Sequence, residues 1–288
     1  MLSQIDVSLE NNKSGILDIE IKKPNFQFFK VSVMPGPSNL LEDSNSVIIF
    51  FKDLTDIIKV QKLKSDFVAN VSHELRTPLQ SIKLGLETIN NGHAAKDLES
   101  QKKILPVVLQ QTSRMENIVN DLLSLSRIEL QEHIRPNEKV NLNDIISHSI
   151  ELHQEILKKN NIECQFERES KNVKINGDRN RLIEVFNNLI DNGIKYSEKN
   201  KKITITTKSG HKNFLVTIKD QGIGISKENI PQVTERFFRV DPAKSKEVGG
   251  TGLGLAIVKH IVNQHRAEMT ISSEINKGTE ISLNFPTI

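Results

Sequence analysis

The stretch FVANVSHELRTPLQSI contains a histidine beside a glutamate, a pair that could act as a nucleophile and its general base. His73 directly precedes Glu74, and Pro78 follows about one turn later in a segment with helical spacing. An imidazole is largely neutral near physiological pH and offers a lone pair, while a neighbouring carboxylate can hold the proton on the other ring nitrogen. Most helical histidines are merely exposed, so this pair raises the question of what His73 could attack.

Polar side chains line one side of a second predicted helix, EVFNNLIDNGIKYS. Glu184, Asn188, Asn192 and Lys195 follow at spacings of four, four and three residues, which places them on one face. Amide oxygens in this arrangement can hold a hydrated magnesium ion, and the lysine can pair with a phosphate. A solvated polar stripe is the common alternative. Asparagine is a poor surface choice for a helix, however, and this favours a site.

Two glycine clusters offer places where the backbone can approach a ligand. In DQGIGI, Asp220 ends a predicted strand before Gly222 and Gly224, and its carboxylate can accept a hydrogen bond from an amine such as that of adenine. Alone, this pattern is more often a tight turn. In GGTGLGLAIVKHIV, four glycines lead into an amphipathic helix whose first N–H groups favour phosphate. The sequence matches neither the dinucleotide fingerprint nor the P-loop.

The segment between the glycine clusters has the composition of a lid. In ERFFRVDPAKSKEVGG, the residues Arg236, Phe237, Phe238 and Arg239 precede a polar stretch at 242–248. Long loops without structure of their own are uncommon in compact domains and often cover a site. An aromatic anchor with guanidinium groups beside it could close over a triphosphate.

The elements that must position these residues fall into three regions. Residues 15–53 alternate as short strands, GILDIEI, FQFFKVSVM and SVIIFFKDL, separated by the predicted turns PGPSN and EDSNS. From about Asp56, two long stretches with near-heptad apolar spacing flank the polar segment NNGHAAKDLES. They predict an antiparallel helical hairpin, whose apolar stripe two copies would bury as a four-helix bundle. Pro106 predicts a kink in the second helix or its true start.

The C-terminal region, from about Val140, alternates between helical and strand-like segments. VNLNDIISHSIELHQEILKKN and DRNRLIEVFNNLIDNGIKYS have helical spacing, while IECQFER, KITITTK, FLVTIKD, EMTISSE and TEISLNF alternate as strands. This order predicts an α+β sandwich in which helices cover one face of a single sheet.

Composition limits the class of protein. A length of 288 residues allows two or three domains, and a net charge of +3 without a basic face argues against nucleic acid. The single Cys164 predicts a reducing, cytosolic setting and a buried structural thiol. We expect the remaining histidines, among them His148, His153, His260 and His265, to lie at the surface. No run reaches the roughly 20 apolar residues of a membrane helix, and no signal peptide is expected.

Together and in this order, the motifs resemble those of bacterial two-component sensor histidine kinases. SHELRTPL is similar to the H box, NNLIDNGIKYS to the N box, DQGIGI to the first glycine box, RFFRVD to the F box and GGTGLGLAI to the second glycine box. The likeness covers about Lys59 to Ile288. The preceding residues resemble the second half of a PAS domain, ending in FKDLTDI. The resemblance implies a multidomain α+β chain: a PAS-like β segment, a helical hairpin forming a dimeric four-helix bundle, and an α/β sandwich ATP-binding domain of the Bergerat (GHKL) type.

The resemblance also implies roles for individual residues. His73 would accept the phosphoryl group of Mg-ATP with help from Glu74, and Thr77 would serve a phosphatase activity toward the regulator. Asn188 would coordinate Mg²⁺, Asp220 would read adenine, and Arg239 would approach the γ-phosphate. The other residues implied to bind ATP are Asn192, Lys195, Tyr196, Gly222, Gly224, Ile225, Phe238, Gly250, Thr251, Gly252, Leu253, Gly254 and Leu255. The sequence departs from the family pattern at Val233-Thr234, where an apolar-Phe pair is common.

At the level of the whole chain, the resemblance implies a partial sensor at 1–58, a hairpin at 59–130, a linker at 131–139 and the catalytic domain at 140–288. The partners would be a response regulator receiver domain and a second copy of the chain, with no nucleic acid. The location would be cytoplasmic, for the chain alone or as the inner part of a membrane-tethered kinase. Two alternatives stay open: an ATPase of the gyrase and MutL group, which lacks the SHELRTPL hairpin, and a non-enzymatic or phosphatase-dominant dimerisation module.

Overall fold

A computed structural model describes residues 13–36, 46–91, 97–169, 173–241 and 249–287 of the chain. The chain divides into two compact units, the first ending at His73 and the second beginning at Glu74. The boundary therefore falls inside a long helix, α1 (Thr55–Asn91). No helix in the described ranges has the length and apolar character needed to cross a membrane.

The first unit contains a three-stranded antiparallel sheet in the order β1-β2-β3. Its strands are β1 (Gly15–Ile21), β2 (Gln27–Pro35) and β3 (Val47–Asp53), which confirms the predicted strands. The turns predicted around PGPSN and EDSNS lie mostly outside the described residues. Thr55 fastens the start of α1 to this sheet, because its hydroxyl accepts a hydrogen bond from the Phe28 N–H at 3.0 Å. Its own N–H donates to Asp53 Oδ1 at 2.8 Å.

The predicted hairpin is formed by α1 and α2 (Leu98–Leu130). Helix α2 begins at a defined cap, where the Asp97 side chain accepts the Glu99 N–H. It starts well before Pro106, so of the two alternatives predicted for Pro106 the helix start is wrong, and a kink inside the helix stays a prediction. The two helices approach closely at Gly85, where a Cβ atom would lie 2.6 Å from Val108 Cγ2.

The rest of the second unit is the predicted sandwich. Its sheet has the strand order β5-β7-β8-β10-β9, antiparallel except for β5 and β7. These two strands run parallel because the connection between them crosses over through helix α5. The elements are β4 (Lys139–Asn141), α3 (Leu142–Leu152), α4 (Gln154–Lys159), β5 (Glu163–Glu167), β6 (Lys174–Asn176), α5 (Arg179–Tyr196), β7 (Lys202–Ser209), β8 (Asn213–Lys219), α6 (Gly254–Gln264), β9 (Glu268–Glu274) and β10 (Gly278–Pro286).

Helix α5 is central to the helical layer and packs against α3 and α6. Its apolar face, with Phe186 fully buried, meets the inner face of the sheet, where Phe214 and Phe285 are also buried. The asparagines lie on the opposite, polar face of the same helix. Burial of the apolar face in the core therefore fixes the direction in which the polar face points.

Two expectations for single residues change with the structure. His265 is 4% exposed, so the prediction that it lies at the surface is wrong. Its Nδ1 lies 2.8 Å from the Ile261 carbonyl, and its Nε2 accepts the Asp178 N–H at 2.9 Å. Cys164 is only half-buried in β5. Burial nevertheless raises the pKa of its thiol to about 11, which makes it unreactive.

Candidate functional site

A cavity of about 350 Å³ in the second unit brings together most of the predicted ligand-binding residues. Helix α5, both glycine loops and helix α2 contribute to its walls. The predicted residues that line it are Asn188, Asn192, Lys195, Tyr196, Asp220, Gly224, Ile225, Phe238, Arg239, Gly250, Thr251, Gly252, Gly254 and Leu255. Gly222 and Leu253 lie beside the cavity and do not line it.

Asp220 marks one end of the cavity and is held by backbone donors. Its Oδ1 accepts the N–H of Gly222 at 2.8 Å and that of Thr279 at 3.1 Å. Burial raises the pKa of Asp220, and these two hydrogen bonds act in the opposite direction. Because Oδ1 is engaged in this way, Oδ2 is the oxygen through which Asp220 can accept a bond from an amine of a ligand.

The first glycine loop needs its glycines for close packing. A Cβ at Gly222 would lie 2.5 Å from the Tyr196 carbonyl oxygen, so the loop lies directly on the end of α5. Gly224 has φ +71° and would place a Cβ 2.0 Å from the Glu274 carbonyl oxygen. Only glycine fits this conformation and this approach. Gly222 therefore shapes the pocket wall from behind.

Asn188 faces the beginning of helix α6. Its Nδ2 donates to the Glu184 carbonyl at 2.9 Å, which fixes the amide so that Oδ1 points the other way. A Cβ at Gly254, the first residue of α6, would lie 2.6 Å from that Oδ1. The carbonyl oxygen of Asn188 thus sits beside free N–H groups at a helix start, where phosphates are favoured. About two turns further along α5, Lys195 Nζ lies 2.6 Å from Asp191 Oδ2.

Helix α2 supplies cavity residues that the sequence analysis missed: Asn117, Asn120 and Asp121. Asp121 Oδ2 accepts the Thr251 hydroxyl at 2.7 Å, and the Thr251 hydroxyl oxygen in turn accepts the Leu253 N–H at 3.2 Å. Burial raises the pKa of Asp121, while the bond from Thr251 opposes that shift. Asn117, Asn120 and Asp121 lie on one helix face because of their spacing, and this spacing is visible in the sequence.

Thr279 also lines the cavity and was not predicted.

Glu74 is held by two guanidinium groups within the second unit. Its Oε2 accepts a hydrogen bond from Arg239 Nη2 at 3.0 Å and from Arg114 Nη2 at 3.2 Å. The side chains of Arg239 and Glu74 are 6% and 17% exposed, so the pair is largely shielded from solvent. His73, which ends the first unit, and Thr77, one turn beyond it, are exposed residues of α1.

The segment before the second glycine loop is anchored at Phe237. This residue has φ +63°, and its N–H donates to the Gly252 carbonyl at 2.8 Å. Phe238, Arg239 and Val233 line the cavity, so the apolar residue of the Val233-Thr234 pair still faces the site. The polar stretch predicted to act as a lid, 242–248, lies outside the described residues.

Among the described residues, no group of three or more histidine, cysteine, aspartate or glutamate side chains could hold a metal ion. The amide oxygen of Asn188, beside the start of α6, is a protein oxygen in this cavity that could bind a cation together with oxygens of a ligand. Magnesium accepts such a site, because it keeps several waters and commonly binds through substrate phosphates.

Comparison with known proteins identifies two domains. Residues 63–131 match the model of the His Kinase A (phospho-acceptor) domain. Residues 177–288 match that of the histidine kinase-, DNA gyrase B- and HSP90-like ATPase domain. The first match separates this chain from the gyrase and MutL group, which lacks the phosphoacceptor hairpin.

The sensor protein kinase WalK of Staphylococcus saprophyticus is 34% identical over 292 residues, covering 98% of this chain and 46% of WalK. The chain spans from 46% to 66% of the length of the curated relatives that it matches first. The solved structure of the Acinetobacter baumannii histidine kinase AdeS matches with a TM-score of 0.59 and 26% identity, covering 74% of this chain and 97% of AdeS. Histidine kinase ThkA, solved in complex with the response regulator protein TrrA, has a TM-score of 0.61 at 23% identity, covering 99% of this chain and 82% of ThkA, and shows the shared fold.

Proposed function

Because the chain belongs to the two-component sensor histidine kinases, we propose that it transfers the γ-phosphoryl group of ATP to His73 and then to an aspartate of a response regulator. The observation that carries the proposal is the convergence of Asp220, Asn188 and the second glycine loop on one cavity. ATP binding requires an acceptor for the adenine amine, a magnesium ligand and a phosphate-binding site. Asp220, Asn188 and the second glycine loop could supply these three parts, in that order.

In this proposal the cavity binds ATP in a fixed direction. Asp220 Oδ2 accepts the exocyclic amine of adenine, and the N–H groups at the start of α6 receive the phosphates. The amide of Asn188 is already turned with Oδ1 toward that helix start, as a magnesium ligand there would need to be. Mg²⁺ would neutralise charge on the β- and γ-phosphates during transfer. Asn192, Lys195 and Tyr196 line the same wall of the cavity beside the nucleotide.

His73 acts as the nucleophile. A neutral imidazole nitrogen forms a bond to the γ-phosphorus while the bond from that phosphorus to the β,γ-bridging oxygen breaks and ADP leaves. Glu74 holds the proton on the other ring nitrogen and stabilises the imidazolium that develops. In the structure Glu74 is bound by Arg239 and Arg114, so it must exchange these partners to assist His73. Arg239 is then available for the γ-phosphate.

The phosphoramidate on His73 is a reactive donor, suited to phosphorylating an aspartate of a receiver domain. ThkA was solved with a response regulator bound, and we propose the same kind of partner for this chain. Thr77 would position the water that removes the phosphoryl group from that regulator. A second copy of the chain would complete a four-helix bundle through the exposed apolar residues of the hairpin, such as Leu86 and Leu105.

Incubation with γ-labelled ATP and Mg²⁺ tests the proposal. The full chain should acquire label that is lost in acid and retained in alkali, as a phosphohistidine is. His73→Gln should carry no label, whereas His133→Gln, which changes another exposed histidine, should label like the wild type. Label that persists in His73→Gln would refute the assignment of the acceptor.

A further inference from the structure

We infer that Asp121 is a specificity-determining residue that makes the arrangement described here favour ADP over ATP. The inference rests on the proposed function, because it assumes that the cavity binds an adenine nucleotide. It concerns a residue of helix α2, outside the ATP-binding domain that contains the N and glycine boxes.

Asp121 occupies the seat where a phosphate would bind. Its Oδ2 accepts the hydroxyl of Thr251 at 2.7 Å, between the glycines of the second cluster. The oxygen of the same hydroxyl accepts the N–H of Leu253, the residue directly before α6, at 3.2 Å. Anions are favoured at such a helix start. The protein's own carboxylate therefore stands in for the ligand anion at this position.

Nearby cations are already committed to carboxylates. Lys195 Nζ lies 2.6 Å from Asp191 Oδ2, and Arg239 Nη2 lies 3.0 Å from Glu74 Oε2. A terminal phosphate that bound here would lie beside the negative charge of Asp121. Lys195 and Arg239 would not offset the added negative charge, because each is already paired with a carboxylate. Like charges repel one another more strongly when they are shielded from solvent.

The other end of the cavity does not share this conflict. Asp220 is held by Gly222 and Thr279, and its Oδ2 can still accept a bond from adenine. The adenine-binding part of the cavity is thus already formed, whereas the Asp121 carboxylate occupies the position where a phosphate would bind. A nucleotide with fewer phosphate charges loses less by binding to this arrangement, so ADP is favoured relative to ATP.

Contacts that the end of α2 and the following residues, 131–135, make with α6 and with the segment before the second glycine loop keep Asp121 in this position. Arg236 forms an ion pair with Glu129 on α2. Gln264 Nε2 donates to the carbonyls of Gln131 and Ile134, both at 3.1 Å. Arg135 Nη1 donates to the last carbonyls of α6 at 3.0 Å. These contacts hold the backbone of Asp121 beside the second glycine loop, so binding of a terminal phosphate should favour separation of α6 from α2.

Calorimetric titration with ADP and with the non-transferring analogue β,γ-imido-ATP tests this inference on the full chain with Mg²⁺. Asp121→Asn keeps an oxygen that can accept the Thr251 hydroxyl but removes the charge, and Asp121→Ala removes both. In Asp121→Asn, imido-ATP should bind about tenfold more tightly, equivalent to 1.4 kcal/mol, while ADP should improve by less than about threefold. Asp144→Asn, which neutralises an exposed carboxylate paired with Arg168, should leave both affinities unchanged.

The quantity that decides is the ratio of the two dissociation constants. A ratio in Asp121→Asn equal to that of the wild type would overturn the inference, whether both affinities stay fixed or both rise together. Improvement in Asp121→Ala but not in Asp121→Asn would also overturn it, because a hydrogen bond and not a charge would then be responsible. Failure of the wild type to bind either nucleotide would instead refute the proposed function itself.

Discussion

His265 links the two helices on either side of the nucleotide cavity through both of its ring nitrogens. Nε2 accepts the N–H of Asp178, the residue that caps the start of α5, so Nδ1 carries the proton and donates to the Ile261 carbonyl in α6. Only the neutral imidazole can serve as donor and acceptor at once. Burial accordingly lowers the pKa of His265.

This arrangement predicts a pH-dependent stability of the second unit. Above about pH 6.5, His265 is neutral in both the folded and the unfolded chain, and its contribution is fully present. As the pH falls below that value, the unfolded chain takes up a proton first, so the free energy of unfolding decreases by at most about 1.4 kcal/mol per pH unit. Denaturant titrations of the wild type and His265→Gln between about pH 7.5 and 5 measure it.

In these titrations His265→Gln should be less stable than the wild type at neutral pH and should lose part of the decrease in acid. His133→Gln changes an exposed histidine and serves as the control. Equal pH dependence in the wild type and in His265→Gln would show that His265 is not the group responsible.

Gly254 gives a prediction for nucleotide binding. A Cβ there would lie 2.6 Å from Asn188 Oδ1, the oxygen proposed to bind magnesium. Gly254→Ala should displace that amide and weaken Mg-ATP binding by about tenfold or more, with little effect on stability because alanine favours the helix. Equilibrium binding of a fluorescent ATP analogue, paired with thermal unfolding, measures both. Unchanged affinity in a folded variant would argue against the role of Asn188.

The sequence predicts single residues well when a local pattern defines them. The spacing of Asn188 and Asn192 and the glycines of both loops locate the cavity, because helix periodicity and glycine conformation are local properties. Asp121, Thr279 and His265 escape notice, since their importance depends on which distant segments pack against them. Asp121 reaches the cavity only because α2 packs on α6.

At the scale of elements, the close contact between α1 and α2 depends on a glycine. The missing side chain at Gly85 leaves room for Val108, and a Cβ would also come within 3.3 Å of Ile104 Cγ2. Glycine normally weakens a helix by about 1 kcal/mol relative to alanine, so its use here follows from packing. The hairpin can keep its helices this close only with a very small residue at this position.

Gly85→Val should therefore push the helices apart and lower the stability of the hairpin by about 1–3 kcal/mol. Thermal unfolding monitored by helical circular dichroism measures the loss. Truncation of the opposing side chain supplies the control: Gly85→Val combined with Val108→Ala should recover part of the stability. If Gly85→Val is as stable as the wild type, the close packing at this point is not a constraint.

Long elements are predicted from the sequence more reliably than short ones. Alternation identifies β9 and β10, and apolar periodicity identifies both hairpin helices and α5. Strands β4 and β6 have only three residues each, too few for a period to emerge, and their pairing is set by tertiary contacts. Pro106 misleads in part, because a long helix stabilised by packing can continue through a proline despite the lost hydrogen bond.

At the scale of the whole molecule, the hairpin exposes large apolar side chains along both of its helices. Leu79, Leu86 and Leu105 are 54%, 50% and 46% exposed. Apolar stripes of this kind on paired helices are typical of an interface. A dimer would bury them as the core of a four-helix bundle.

Charge in that stripe should prevent dimerisation. Leu79→Glu combined with Leu86→Glu should convert the chain from a dimer to a monomer at micromolar concentration, because buried unpaired carboxylates are costly. Light scattering after size-exclusion chromatography measures the mass. Gln80→Glu, at an exposed position of the same helix roughly 100° or more around the helix axis from Leu79 and Leu86, should remain dimeric. A double variant that stays dimeric would place the interface elsewhere.

The central claim is that the nucleotide site of this chain phosphorylates its own His73. The most direct measurement is the location of the phosphoryl group after incubation with Mg-ATP, read by tandem mass spectrometry on peptides kept at alkaline pH. We expect modification of His73 and none of the neighbouring Ser72 or Thr77 hydroxyls. Phosphate found on a hydroxyl, or on a different histidine while His73 stays unmodified, would contradict it.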